Sequence, residues 1–257
     1  METEYLGILI GASFFAGLVD SIAGGGGLIT LPALLLAGIP PVSAFGTTKF
    51  FAACGSVIAI LNFARKKLIN WHLFGLGVGF TLLGGALGSR AILFFKPELV
   101  QILILIFLPI AAASLFLRRE DYRAHPVPYE KKKMGALALG MGFYDGFLGP
   151  GTGAFLTLGF YHVLGLNLLH ASALARPFNL VSTLAALVVF WLNGKVIFEI
   201  AIPMAVVNML GNWAGSHLAI KQGALLVRRA LLGVCLLLFV SLAFKTLKAC
   251  HVAFFNL

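Results

Sequence analysis

Apolar residues gather into ten runs along the chain. The first five cover residues 5–23, 28–39, 44–64, 71–95 and 99–117, and the second five cover 134–148, 154–166, 171–192, 196–220 and 230–248. Continuous apolar runs of this kind predict buried or bilayer-crossing helices, and a crossing takes about 20 residues. The runs 28–39 and 154–166 are too short to span comfortably. Each follows a break that no straight helix tolerates: Gly24-Gly25-Gly26-Gly27 in the first case and Gly149-Pro150-Gly151-Thr152-Gly153 in the second. A polar stretch over 118–133 with Pro126 and Pro128 divides the two sets of five, and this is the natural linker.

The two sets match in letters as well as in order. Gly17-Leu18-Val19-Asp20 answers Gly142-Phe143-Tyr144-Asp145, and Gly24 with Gly26 answers Gly149 with Gly151. After a slip of two residues, Gly38 answers Gly165, Ala44 answers Ala171, Lys49 answers Arg176, and Gly84 with Gly88 answers Gly211 with Gly215. An internal duplication accounts for this, with a first repeat over 1–117, a cytoplasmic linker over 118–133 and a second repeat over 134–257. A straight helix over residues 6–39 would reach about 50 Å at 1.5 Å per residue, against a hydrocarbon core of about 30 Å. It must break and fold back. If it forms a hairpin, each half crosses an odd number of times and the halves are inverted; one bent crossing would make them parallel. Charge counting does not separate the two, and the short second lobes favour the hairpin. The expected fold is therefore an all-α polytopic membrane protein of two homologous, inverted repeats, each with a broken, re-entrant helical hairpin and three transmembrane helices.

Composition agrees and removes several alternatives. The chain is 60% hydrophobic and only 11% charged, with a mean hydropathy of +0.99, whereas a soluble domain is about half apolar and a quarter charged. The net charge of +10 would suggest nucleic acid in a soluble protein. Here twelve of the nineteen basic residues fall in 65–67, 118–133 and 221–229, as cytoplasmic loops require, so nucleic acid is not an expected partner. Cys54, Cys235 and Cys250 form no C-x-x-C pair, which gives neither a disulfide framework nor a metal site. His72, His162 and His170 lie at run ends without a second ligand at metal spacing. The first five residues carry two glutamates instead of a basic region, so the run from Leu6 is expected to be kept as structure.

Three features carry candidate chemistry. Unwound backbone at membrane depth is tolerated only where it is buried in protein or lines a wet cavity. Gly24, Gly25, Gly26 and Gly27, with Gly149, Gly151 and Thr152, would place free N–H groups at the positive ends of helices, a setting suited to an anion; the alternative is that the glycines only let helix ends pack. No Gly-Lys-Ser/Thr follows, which excludes a P-loop. Lys49 and Arg176 are matching cations inside apolar runs, costly there and so candidates for anion contact, with Thr47, Thr48 and Asn179 as neutral donors beside them. Snorkelling to the headgroups is the competing reading. Pro177 is expected to push Arg176 out of helical geometry, to a helix start. Asp20 and Asp145 each precede their first glycine by four positions. They can bind coupling protons, since desolvation favours the neutral acid, or they can hold backbone N–H groups at their own break or neutralise a repeat cation. Glycines spaced four apart, Gly75 with Gly79, Gly84 with Gly88 and Gly211 with Gly215, are the small-residue pattern of close helix packing. Arg90 and His217 answer each other near run ends, where snorkelling is the better account.

The stretch Gly17-Leu18-Val19-Asp20-Ser21-Ile22-Ala23-Gly24-Gly25-Gly26-Gly27, followed by Leu31-Pro32-Ala33-Leu34-Leu35 and Gly38-Ile39-Pro40, resembles the TauE/SafE family of sulfite and organosulfonate exporters, also grouped as toluene sulfonate uptake permeases. Gly142-Phe143-Tyr144-Asp145-Gly146-Phe147 with Gly149-Pro150-Gly151-Thr152-Gly153 fits the same pattern, in particular a bacterial branch with YfcA-type names. The resemblance covers essentially the whole chain. It implies a multi-pass permease of the bacterial inner membrane for a small, often sulfur-containing anion, without a cofactor, and fixes neither the anion nor its direction. The expected partners are that anion, the lipid bilayer and, as an option, a second copy of the chain. Two other classes compete. A passive anion channel would need no coupling. An intramembrane aspartyl protease would use Asp20 and Asp145 as a proton-sharing pair, but both lie in Gly-x-x-Asp where those proteases have Gly-x-Gly-Asp, and a duplicated motif fits a transport pathway better.

Overall fold

A computed structural model describes residues 3–96, 99–100, 103, 131–223, 225–227 and 229–230. The runs expected over 99–117 and 230–248 and the linker before Lys131 lie almost wholly outside the described residues, so the linker reading stands as an expectation. The described residues form eight helices and no strand: α1 (Thr3–Ala23), α2 (Gly27–Leu36), α3 (Pro41–Arg65), α4 (Trp71–Leu93), α5 (Lys131–Phe147), α6 (Thr152–Leu164), α7 (Leu168–Leu192) and α8 (Phe198–Gln222). Among the described residues, α3, α4 and α7 are long and apolar enough to cross a membrane. Large apolar side chains such as Phe15, Leu82, Val188, Val206 and Trp213 face outward, and an outer surface of that kind calls for lipid rather than water.

The helices begin and end where local chemistry dictates. Asn70 and Asn167 cap α4 and α7 by accepting from the N–H of Leu73 and His170. Pro41 occupies the first turn of α3, where its missing N–H costs nothing. Helix α1 stops at Gly24 and α5 at Gly149, and both glycines have positive φ, +80° and +83°, a torsion that a Cβ disfavours. The second lobes also end on left-handed glycines, Gly38 and Gly165. Pro177 behaves differently from its expectation. Helix α7 runs straight through it, which leaves Arg176 in the middle of the helix rather than at its start. The N–H that proline lacks frees only the Ala173 carbonyl, a cost that a packed membrane helix tolerates; one residue earlier the Arg176 Nε donates to the Ser172 carbonyl at 3.4 Å.

Packing has a similar plan in the two halves of the chain. Helix α2 folds back along α1: Gly26 lies against Ala16 and Asp20, while Leu31 and Leu34 join Leu9 in one apolar cluster. Helix α6 folds back along α5 in the same manner, with Tyr144 against Phe155 and Gly159 against Leu137. Helices α1 and α8 run side by side in the same direction, since a Cβ on Gly211 would strike the Phe14 carbonyl and one on Gly215 the Leu18 carbonyl. Helices α4 and α5 do likewise through Gly84 at Leu139 and Gly88 at Phe143. Thus the Gly84/Gly88 and Gly211/Gly215 pairs are close-approach sites. Gly75 and Gly79 are not, because a Cβ there would meet nothing described within 4 Å. Helix α3 runs with α8 (Gly55 at Asn208, Asn62 at Ser216) and α7 runs with α4 (Phe178 at Phe74, Ser182 at Gly85). Gly46 near the start of α3 meets Phe190 near the end of α7, so these two are antiparallel. Helices α1, α3 and α8 therefore point one way, and α4, α5 and α7 the other.

Candidate functional site

Each broken helix ends on a cation supplied by the other half. The Lys49 ammonium from α3 sits 2.8 Å from Asp145 Oδ1 and donates to the Asp145 carbonyl at 2.6 Å. The Arg176 guanidinium from α7 sits 3.4 Å from Asp20 Oδ2 and donates through Nη1 to the Asp20 carbonyl at 2.6 Å. In both cases a cation meets a carboxylate and a last-turn carbonyl together, at the negative end of a helix dipole. Lys49 is 6% exposed and Arg176 is 0% exposed, so neither snorkels to a headgroup. Of the readings open for the two aspartates, the geometry places each against the opposite repeat's cation. Asp20 also accepts from the Gly26 N–H at 3.2 Å, and Asp145 from the Thr183 hydroxyl at 3.2 Å.

A cavity lies at the meeting of the two breaks. Its wall includes Asp20, Gly24, Gly26 and Gly27 from the first break, and Asp145 with Gly149, Pro150, Gly151, Thr152 and Gly153 from the second; Thr30, Thr48, Lys49, Asn179, Thr183 and Asn208 complete its polar lining. The starts of α2 and α6 thus open onto it; the N–H groups of Leu28, Ile29 and Thr152 already bond to the carbonyls of Gly25, Gly26 and Gly149, so it is the positive ends of the helix dipoles that these starts present. The carboxylates and the helix C-terminal carbonyls are already engaged by Lys49 and Arg176. Beside the two paired carboxylates, what remains toward the cavity is a pair of positive helix ends, the Lys49 ammonium, Asn179 and the uncommitted Thr48 hydroxyl, groups suited to negative charge.

The sequence candidates separate here. Lys49, Thr48, Asn179, Asp20, Asp145, Gly24, Gly26, Gly27, Gly149, Gly151 and Thr152 line the cavity; Gly25, Thr47 and Arg176 are not on its wall. Thr47 is fully buried, and its hydroxyl accepts from the Ile197 N–H at 3.1 Å, which fastens the start of α8. Thr152 turns its hydroxyl back to the Gly149 carbonyl at 2.6 Å. The Thr48 hydroxyl and the Arg176 Nη2 are buried without a hydrogen-bond partner. Three polar residues of the cavity wall stand outside the sequence candidates: Thr30, Thr183 and Asn208. Asn208 donates to the Ser13 carbonyl at 2.9 Å and accepts from Asn212, so it ties α8 to α1 beside the site. An Asn-x-x-x-Asn spacing inside an apolar run was the available signal, since two amides one turn apart are costly in lipid unless they serve each other. Among the described residues no group of His, Cys, Asp and Glu could hold a metal ion.

The sequence model of the sulfite exporter TauE/SafE family matches residues 9–242. The chain belongs to that family. TauE/SafE relatives carry names of the same kind. The probable membrane transporter protein YfcA of Escherichia coli strain K12 is 36% identical over 229 residues, covering 87% of this chain and 84% of the relative. A probable membrane transporter protein of Haemophilus influenzae is 36% identical over 231 residues, 88% and 89% of the two chains. The probable membrane transporter protein ORF9 of a Sinorhizobium species is 36% identical over 242 residues, 92% of each. No solved structure matches. TauE/SafE membership makes this chain a membrane-embedded transporter protein and not an enzyme. That agrees with the site, where each aspartate is taken up by a cation instead of sharing a proton with the other.

Proposed function

We propose that this chain is a multi-pass secondary transporter of the bacterial inner membrane, that it moves a small sulfur-containing anion such as sulfite or an organosulfonate by alternating access, and that protons are its coupling ion. The observation that carries this reading is the cavity wall itself, where Lys49 and the glycine-rich starts of α2 and α6 converge. The inverted relation of the halves is supported by helix direction: α1, α3 and α4 of the first half run opposite to α5, α7 and α8, their counterparts in the second. Crossed halves with broken helices at matching positions are the plan of many secondary transporters. The sulfur class rests on the family description, and the anionic class on the site.

Coupling follows from charge. Asp145 and an incoming anion compete for the same ammonium, and a buried cation with two negative neighbours in low dielectric favours shedding one. A proton on Asp145 neutralises the resident carboxylate and frees Lys49 for the substrate, so anion and proton bind together. The test is uptake of sulfite, sulfoacetate, thiosulfate and acetate into proteoliposomes with and without an imposed pH gradient, beside Lys49→Ala. Accumulation of one anion that follows the gradient and disappears in Lys49→Ala is the expected result. Flux that follows voltage alone would establish the channel instead, and no flux of any anion would remove the anion reading.

A further inference from the structure

The two ion pairs sit at matching positions in the two halves and both carboxylates line the cavity, yet only one of the two cations does. Thr30, Phe45, Thr48 and Lys49 line it. Their counterparts Thr157, Ser172, Ala175 and Arg176 are each 0% exposed and absent from its wall. The cause is a backbone contact. Gly24 and Gly153 touch so closely that a Cβ on either would collide with the other's backbone, and the same missing Cβ on Gly153 leaves the place against which Arg176 Nη2 rests. No such collision exists at the other break: a Cβ on Gly27 would stand 3.4 Å from Pro150, and the atoms nearest to Gly149 belong to Lys49 and Asp145. One side of the pseudo-symmetric site is open at Lys49, and the other is sealed over Arg176.

Behind that seal Arg176 is incompletely bonded. Nη1 and Nε have acceptors, whereas Nη2 is a charged donor, fully buried, with none. Leaving such a group without a partner is costly, and a site that keeps it is one that completes it at another moment. We infer that Arg176 is the substrate-binding cation of a second, oppositely open state, reached when Gly24 and Gly153 part and the break at Gly149 closes over Lys49. This rests on the alternating-access reading above and adds a difference between the two faces. Lys49 offers the anion a point charge on one side, while on the other side Arg176 offers a planar donor that suits oxygens held on a common centre, as in a sulfonate or sulfite.

Sided cysteine labelling tests this. In protein whose Cys54, Cys235 and Cys250 are replaced by serine, Thr48→Cys and Ala175→Cys are introduced singly, reconstituted in one orientation, and exposed to a membrane-impermeant maleimide on one face at a time. Thr48→Cys is expected to react from one face and Ala175→Cys only from the other. Adding Gly153→Ala, whose methyl cannot coexist with Gly24 in the sealed contact, is expected to raise labelling of Ala175→Cys several-fold and to lower that of Thr48→Cys. Labelling of both cysteines from the same face overturns the inference. So does an Ala175→Cys that stays unreactive in protein that still accumulates sulfoacetate, and in that case the transporter reading survives. If Gly153→Ala does not fold, the sidedness of the two single cysteines decides the matter alone.

Discussion

The pairs Lys49–Asp145 and Arg176–Asp20 occupy the same place in the two halves and solve different problems. At Asp145 the carboxylate is shared with the Thr183 hydroxyl, and the pair opens onto the cavity. At Asp20 the carboxylate is shared with the Gly26 N–H of its own break, and its cation is wholly enclosed. An enclosed charge depends on its one counter-ion, because no water can replace it. A charge beside a cavity can exchange partners, which is what binding requires. Two stretches that look alike in the sequence thus differ in the fold, with one cation enclosed and the other on a cavity wall.

The largest effect that would break this contrast is expected at Asp20. Asp20→Ala strands the buried Arg176 and should cost about 3–5 kcal/mol of stability, as a buried pair does when one partner is removed. Thermal unfolding in detergent reads this, and adding Arg176→Met should recover much of the loss. Equal destabilisation by Asp145→Ala would erase the contrast. Next comes Lys49→Ala, expected to weaken anion affinity about 10–100-fold, the worth of one hydrogen bond to a charged group, with Lys49→Arg losing less. Equal, unchanged affinities in both variants would remove Lys49 from the site.

Smaller effects sharpen the comparison among residues of one type. Gly215→Ala drives a methyl into Ser21 and the Leu18 carbonyl and should destabilise by about 1–3 kcal/mol, the usual cost of overpacking. Gly75→Ala meets nothing described and should gain up to about 1 kcal/mol from helix propensity; melting temperatures of the two variants check the sign. Least is expected of Thr47→Val, which removes the acceptor of the Ile197 N–H. About 1 kcal/mol of stability should go, with sulfite or sulfoacetate affinity unchanged in a binding titration.

Much of this was legible in the sequence because it is local. Gly24 and Gly149 stop their helices through their own torsions, and Asn70 and Asn167 cap theirs across three residues. The small-residue spacing found Gly84, Gly88, Gly211 and Gly215, but it also selected Gly75 and Gly79, since spacing alone does not say whether a neighbour is present. Pro177 reads as a helix boundary in the sequence because proline disfavours helical geometry before it; within α7 it costs a single backbone bond, which the packed helix absorbs. Thr47 was grouped with Thr48 by adjacency, and helical geometry turned the two hydroxyls to different surroundings.

The sequence alone is enough to place this chain in a membrane, to mark where its helices break, and to single out Asp20, Lys49, Asp145 and Arg176 as charges that are costly there. Hydropathy, glycine torsions and the cost of charge in lipid act at each position separately, so they can be read one residue at a time. Tertiary structure alone decided that each cation serves the opposite half's carboxylate, across 96 residues for Lys49 and Asp145 and 156 for Arg176 and Asp20. It also sets Lys49 on the cavity wall while Arg176 lies enclosed behind Gly24 and Gly153. Both outcomes depend on which helices run side by side and in what register, and no local rule along the chain carries that information.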